Sequence, residues 1–192
     1  MTNMKPEIEQ LIENSARIIK KTSSLSGNIQ KTINEIIHCL KNGNKVILFG
    51  NGGSAADAQH IAAELIGRFQ IERQSLPALA LTTDTSVLTS LANDYSYDVI
   101  FSRQCESLVL SGDVVVGIST SGNSKNVYNG IEIAKKKGAI TVGLLGNDGG
   151  LLKNFVDISL IVDSNITSEI QEAHRVIYHV ICKIVEKKLS KK

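Results

Sequence analysis

The sequence predicts an α/β fold: one doubly wound, five-stranded parallel sheet, with helices flanking it at both ends of the chain. Three observations predict it. Five short apolar runs, at 46–49, 78–81, 114–118, 140–145 and 158–162, are continuous rather than alternating, as strands buried on both faces are. Helical patterns separate these runs, which implies right-handed crossovers. Turns rich in glycine or serine follow the first and third runs, at the end of an open sheet where ligands sit.

Taken in order, the first forty or so residues place Leu11, Ile12, Ile18, Ile19, Ile29, Ile33, Ile36, Ile37 and Leu40 at helical spacing, with Ser26-Gly27 as the expected break between two helices. The first strand runs into Phe49-Gly50-Asn51-Gly52-Gly53-Ser54, whose glycines allow a sharp turn and a close ligand. Ser54 and Asp57 have the spacing of a capping box, so a helix over 55–69 begins at once. After the second strand, helical patterns cover 86–92 and 96–109; another covers 126–137 after the third strand, and a shorter piece is expected near 151–155. The last helix, 170–189, repeats Ile170, Ala173, Ile177, Val180, Ile181, Ile184 and Val185. The chain reads as one domain, 1–192: terminal helices over 1–44, an α/β core over 45–165 and a C-terminal helix over 166–192. The terminal helices are more apolar than the flank of a small sheet needs, which marks them as oligomer-forming elements.

Composition excludes several classes. The 192 residues carry a net charge of +2, 42% are hydrophobic and 4% aromatic, an ordinary globular balance without the basic face or stacking aromatics of a nucleic-acid reader. Lys187-Lys188, Lys191-Lys192 and Lys135-Lys136-Lys137 read as solvated helix ends. Cys39, Cys105 and Cys182 form no C-x-x-C pair and read as buried thiols of a cytosolic protein. Met1-Thr2-Asn3-Met4-Lys5 lacks the apolar region of a secretory signal. No run approaches the ~18 apolar residues of a membrane span.

The most informative segment is Ser119-Thr120-Ser121-Gly122-Asn123-Ser124. A hydroxyl-rich turn between a buried strand and a helix start is an anion cradle, because first-turn N–H groups, hydroxyls and the helix dipole converge on one point. No lysine or arginine lies inside it, which suits a sugar phosphate. Gly50-x-Gly52-x-x-Ala55 also matches the dinucleotide fingerprint, with Asp84 as the ribose-binding acid, but that reading leaves the serine turn without a task.

His60 and Glu64, four residues apart, share a helix face beside Asp57 and Arg68, opposite Ala58, Ile61, Ala62, Leu65 and Phe69. Such a pair is either a solvated stripe or an acid–base and zinc-type ligand set. Gln171, Arg175 and His179 occupy one polar sector of the last helix, near Glu172 and His174. Asn93-Asp94 reads either as a turn or as hydrogen-bonding groups for substrate hydroxyls.

Taken together, G-N-G-G-S with H-x-x-x-E behind it, T-T-D-T-S, N-D-Y, F-S-R-Q, G-I-S-T-S-G-N-S-x-N-V and I-Q-E-A-H resemble the sedoheptulose 7-phosphate isomerase (phosphoheptose isomerase) branch of the sugar isomerase (SIS) domain proteins. The resemblance spans about residues 5 to 189. It implies a SIS-type sandwich and a cytoplasmic homotetramer with active sites at subunit interfaces. It implies conversion of sedoheptulose 7-phosphate to D-glycero-D-manno-heptose 7-phosphate, the first step toward ADP- or GDP-activated heptose for lipopolysaccharide or capsule. By this similarity Glu64 is the base and His179 its acid partner. His60, Glu64, Gln171 and His179 hold one Zn2+ per subunit. Asn51, Gly52, Gly53, Ser54, Glu64, Asn93, Asp94, Ser119, Thr120, Ser121, Ser124 and Gln171 contact substrate. The chain departs from the pattern at Ser168, where some members carry aspartate, and at Glu169, where arginine is common. A non-enzymatic SIS protein, such as the related factor that binds the replication initiator, is the rival reading; it predicts a degraded acid–base set, whereas His60, Glu64 and His179 are all present.

Ketose–aldose isomerisation moves a proton between adjacent carbons through an ene-diol, so a carboxylate must reach the C–H while a second group handles oxygen protons. Burial raises a carboxyl pKa and makes it a better base; a divalent ion opposes that shift while polarising substrate oxygens. Gln171 and His179 stand eight residues apart, about 12 Å along an unbroken helix, so sharing one ion demands that both lean inward.

Overall fold

The structure, a computed structural model, describes residues 3–190. Met1, Thr2, Lys191 and Lys192, which carry part of the leader and basic-tail readings, lie outside the described residues. Seven α-helices and five strands alternate as expected among them: α1 (Lys5–Lys21), α2 (Ser26–Lys41), β1 (Val46–Gly50), α3 (Gly53–Ile66), β2 (Ala78–Ala80), α4 (Thr85–Asp94), α5 (Ser102–Leu108), β3 (Val114–Ser119), α6 (Lys125–Lys136), β4 (Ile140–Gly146), β5 (Ile158–Val162) and α7 (Thr167–Leu189).

All strand pairs are parallel, in the order β2-β1-β3-β4-β5. Val46 pairs with Val114, and Val114 with Ile140. Alternate residues feed two cores. Leu48, Val116, Ile118 and Leu144 pack under α2, α3 and α7. Ile47, Phe49, Val115 and Leu145 pack under α4, α5 and α6. The continuous apolar runs are therefore a consequence of cover on both faces. The chain leaves β1 for one face (α3) and β3 for the other (α6), so the crevice between the carboxyl ends of β1 and β3 is the topological switch point. Both unusual loops open into it.

Four local expectations are corrected. The break between the first helices is not Ser26-Gly27, which opens α2, but a 3-10 turn over Thr22–Leu25. There Thr22, Ser23 and Ser24 each donate a hydroxyl to the carbonyl three residues back, at 2.7, 3.0 and 2.8 Å, and such local bonds compete with the α-helical ladder. The helix expected over 96–109 is split into a 3-10 turn, Tyr97–Val99, and α5; Ser102 donates its hydroxyl to the Val99 carbonyl at 3.2 Å, a local bond that competes with the helical ladder. The piece at 151–155 is turns, not helix: Leu151 N–H is taken by Asn123 Oδ1 and Leu152 N–H by the carbonyl of Gly122. The Ser54–Asp57 capping box does not form. Gly52 is the N-cap of α3, and Asp57 turns toward α7 instead.

Cys39, Cys105 and Cys182 are buried and free; burial pushes their thiols up to about 11, 12 and 12. Met4, Ile8, Leu11 and Ile12 leave an exposed apolar stripe on α1. No helix among the described residues is long and apolar enough to cross a membrane.

His174 is fully buried, its Nε2–H donating to the Leu145 carbonyl at 2.9 Å. Burial lowers its pKa to about 4, and its Nδ1 has no partner. The unfolded chain, with an ordinary histidine near 6.5, thus binds more protons between those values, so stability falls as pH drops through this window. Urea midpoints are expected to show a His174 contribution on the order of 3 kcal/mol between pH 6.5 and 4, seen as a shallower acid slope in His174→Gln.

Candidate active site

The serine turn is organised before any ligand arrives. Ser119 Oγ lies 3.0 Å from Ser124 Oγ and 3.4 Å from Ser121 Oγ, so three hydroxyls meet. Gly122, at φ +66°, permits the reversal between them; a Cβ there would collide with the Gly149 carbonyl. Ser124 is the N-cap of α6, yet its hydroxyl makes no cap bond. It remains with Ser119 and Ser121 at the helix's positive end, which is the arrangement that binds an anion. Lys125 beside it is paired with Asp98 at 2.7 Å, so hydroxyls and dipole supply the grip. Thr120 joins the turn, its carbonyl accepting from Asn147 Nδ2.

The glycine loop is tied to this turn. Asn51 and Asn126 exchange two amide hydrogen bonds of 2.9 Å, and Tyr97 donates to Asn51 Oδ1 at 3.0 Å. Gly50 is glycine because a Cβ would stand 2.7 Å from the Ile118 carbonyl on β3. The amide of Gln171 lies directly over Gly53, filling the space a side chain there would take. A pyrophosphate at the start of α3 would have to displace it. Asp84, the ribose acid of the dinucleotide reading, instead caps α4 by accepting from Val87 N at 3.0 Å. Ser54 is buried at the same loop.

Helices α3 and α7 lie side by side in a constant register. Gly53 meets Gln171 and His60 meets Tyr178, and Phe69, just beyond α3, meets Glu186. This register assembles a cluster. His60 Nε2 is 3.0 Å from Glu64 Oε1, and the His179 ring is 5.1 Å from that of His60. One ligand atom each from His60, Glu64 and His179 lies within 4.8 Å of the others. Two imidazole nitrogens and a carboxylate oxygen fit a zinc-type ion with an open coordination position. Burial first, and then the neighbouring His60, lower the pKa of His179, which favours the neutral ring that a metal ligand needs. Gln171 stands two turns from His60 along α3; it reaches the cluster only by leaving Gly53.

Behind the cluster, Tyr178 Oη is 3.2 Å from Asp57 Oδ1 and 3.1 Å from His60 Nδ1, and accepts from Arg175 Nε at 3.1 Å. Burial raises the pKa of Asp57 and pushes Tyr178 up to about 12. Arg68, expected beside His60, is exposed and paired with Glu72. Below the cluster, the carboxylate of Glu186 accepts from the backbone N–H groups of Phe69, Gln70 and Ile71 at 2.8, 2.8 and 3.1 Å. Burial alone would raise the Glu186 pKa, but these donors and Arg73 outweigh it and hold it below the usual carboxylate range. Arg73, 3.4 Å from Glu186, donates to the carbonyl of Glu64 itself at 2.7 Å.

Two groups of candidates are not brought together within one protomer. The serine turn is at the switch point, whereas Glu64 lies eleven residues along α3 from Gly53, about 16 Å at 1.5 Å per residue. Asn93 and Asp94 are exposed at the end of α4 and bonded to each other. Of the atypical pair, Ser168 is exposed, while Glu169 is buried with Oε2 accepting from Ser164 Oγ at 2.6 Å. Glu169 helps line a cavity of about 730 Å³ beside Ser121 and Asn123, together with Arg17 and Lys21.

Reading by motif passed over Tyr178, Glu186 and Arg73. A signal for the first two existed: each is a polar group within the apolar stripe of α7, and Glu186 follows His179 by seven residues, hence on the same face.

The serine turn, the glycine loop and the sheet order define a SIS domain, and the SIS domain family model matches residues 10–146. A phosphoheptose isomerase from Geobacter metallireducens is 57% identical over 156 residues, 81% of this chain and 82% of that protein. One from Aliarcobacter butzleri is 49% identical over 183 residues, 95% and 97% of the two chains. The solved phosphoheptose isomerase of Neisseria gonorrhoeae superposes with a TM-score of 0.91 at 38% identity, covering 96% of this chain and all of that one. The chain belongs to the phosphoheptose isomerase family of SIS domain proteins.

Proposed function

We propose that this chain converts sedoheptulose 7-phosphate to D-glycero-D-manno-heptose 7-phosphate in the cytoplasm, as the first step toward a nucleotide-activated heptose for lipopolysaccharide or capsule. The observation that carries the reading is the His60–Glu64–His179 cluster, present in a chain 57% identical to a protein named phosphoheptose isomerase. The Glu64 carboxylate takes the proton from C1 of the ketose and returns it to C2 of the ene-diol, and His179 exchanges the proton between the two oxygens. Ser119, Thr120, Ser121 and Ser124 hold the phosphate; Asn51, Gly52, Gly53, Ser54, Asn93, Asp94 and Gln171 position the sugar. His60, Glu64 and His179, with Gln171 swung from Gly53, hold Zn2+. When bound, that ion polarises the substrate oxygens. Incubating the protein with sedoheptulose 7-phosphate and identifying the product by NMR tests the assignment; an unchanged ketose overturns it.

The site is composite. An extended seven-carbon phosphate spans on the order of 10 Å at ~1.5 Å per C–C bond, less than the ~16 Å that α3 places between the glycine loop and Glu64. We infer that a second copy supplies the base, within a homotetramer joined through the apolar stripe of α1 and the groove between α2 and α7, where Ile29, Ile33, Ile37, Val180 and Ile184 stand. Mixing Glu64→Gln protomers with Ser119→Ala/Ser124→Ala protomers, at substrate levels too low to saturate the serine variant, is expected to restore activity at about a quarter of the sites under random assembly. No recovery in mixed oligomers would place base and phosphate turn in one chain.

The serine double variant by itself is expected to raise KM for the phosphorylated sugar about 10²–10⁴-fold, since each of the two lost hydrogen bonds to a charged group is worth roughly 1.5–3 kcal/mol. A dephosphorylated analogue should be unaffected; equal loss for both would remove the phosphate role.

A further inference from the structure

We infer that Tyr178, backed by Asp57, is a positioning residue that fixes His60 in its Nδ1–H tautomer and leaves Nε2 bare toward the space between Glu64 and His179. The inference rests on the metal reading above and adds the group that prepares the ligand.

Tyr178 Oη has one hydrogen and three polar neighbours: Asp57 Oδ1 at 3.2 Å, His60 Nδ1 at 3.1 Å and Arg175 Nε at 3.1 Å. Arg175 can only donate. The tyrosine proton must therefore go to Asp57 or to His60. Asp57 is 98% buried and its Oδ2 has no hydrogen-bond partner. Its other contact, Arg175 Nη2, is 3.5 Å from Oδ1. A buried carboxylate this poorly supplied is a stronger acceptor than a neutral imidazole, and leaving it without the hydroxyl is costly. The proton goes to Asp57. Tyr178 Oη then has a lone pair facing His60 Nδ1, which must carry the hydrogen.

The consequence lies on the other side of the ring. In the neutral ring with Nδ1 protonated, the lone pair of Nε2 points at Glu64 Oε1 from 3.0 Å. Two acceptors at that distance repel unless a positive charge sits beside both. The Asp57–Tyr178–His60 chain thus holds one ligand nitrogen in the state a cation requires, as carboxylates behind metal-bound histidines do. The tyrosine ring also packs edge-on against His60 at 5.4 Å and His179 at 4.7 Å, so one side chain orients both imidazoles.

Tyr178→Phe tests this because it keeps the ring and removes only the hydroxyl. Nitrogen-15 histidine spectra of metal-free protein at mildly alkaline pH read the tautomer directly. Wild type is expected to show His60 protonated at Nδ1, and Tyr178→Phe to shift toward Nε2–H, now favoured by Glu64. Calorimetric titration with Zn2+ alone is expected to show about 10–100-fold weaker binding in Tyr178→Phe. Asp57→Asn, which weakens the competing acceptor, should move both readouts the same way and serves if the first variant does not fold. A Tyr178→Phe protein that keeps the Nδ1–H tautomer and binds Zn2+ within about threefold of wild type overturns the inference. A wild type that shows the Nδ1–H tautomer but takes up no Zn2+ overturns the metal reading and leaves the Tyr178 assignment supported.

Discussion

Glu64→Gln is expected to lower kcat by about 10³-fold or more while leaving the fold and the assembly unchanged. Removing a general base typically costs 10²–10⁴-fold, and here no second carboxylate of the cluster can substitute: Asp57 is buried behind Tyr178, and Glu186 is committed to three backbone N–H groups. Glutamine has the same shape and retains an oxygen toward His60, so packing is preserved. The loss should fall on kcat rather than on KM, because in the proposed mechanism the serine turn holds the substrate while the proton moves only in the transition state. The change also removes a charged ligand, so turnover should be measured with Zn2+ saturating and with metal content assayed alongside. A variant that turns over at the wild-type rate would dismiss Glu64 as the base, whatever its metal content.

The parts of this site that were legible in sequence are those encoded over a few residues. Five continuous apolar runs have few readings besides buried strands, and their ends moved by no more than one residue. His60 and Glu64 were paired by helical periodicity. The serine turn announced itself by composition, and its three hydroxyls do converge. What was missed depends on the register between α3 and α7, which puts Tyr178 against His60 across 118 positions of chain. No local pattern carries that offset; it follows from how α3 packs over β1 and β3 while α7 lies over β4 and β5, with Ile61, Leu65, Ile177 and Ile181 in one shared core. The failed capping box has the same origin. Ser54 and Asp57 have cap spacing, but a tyrosine on a distant helix claimed the aspartate. The 3-10 turn at Thr22–Leu25 is local, yet it follows from three consecutive hydroxyl side chains that bond back to the helix, and Ser26-Gly27 lies inside α2.

Glu186→Gln is expected to cost about 3–5 kcal/mol of stability, the usual penalty for removing one partner from a buried ion pair. The side chains of Glu186 and Arg73 are 2% and 4% exposed, so the arginine left behind has no access to water. The amide keeps one acceptor oxygen for three N–H donors and turns its own NH2 toward the rest. The measurement is a shift in urea midpoint at unchanged m-value. Its sign with pH follows from the depressed pKa of Glu186: the carboxylate's contribution is present above the ordinary glutamate value and is lost as pH falls through the lower folded value, so wild type and variant should converge in acid. Arg73 links this pair to catalysis, since its guanidinium also donates to the carbonyl of Glu64. Arg73→Met alone should therefore destabilise through an unpaired Glu186, and the double variant should lose less than the two single losses added together. Strict additivity would mean that the carboxylate stabilises the loop after α3 without help from the arginine. With coupling, and kcat lowered in either single variant, the end of α3 that carries Glu64, the proposed base, is held from α7 by one buried carboxylate.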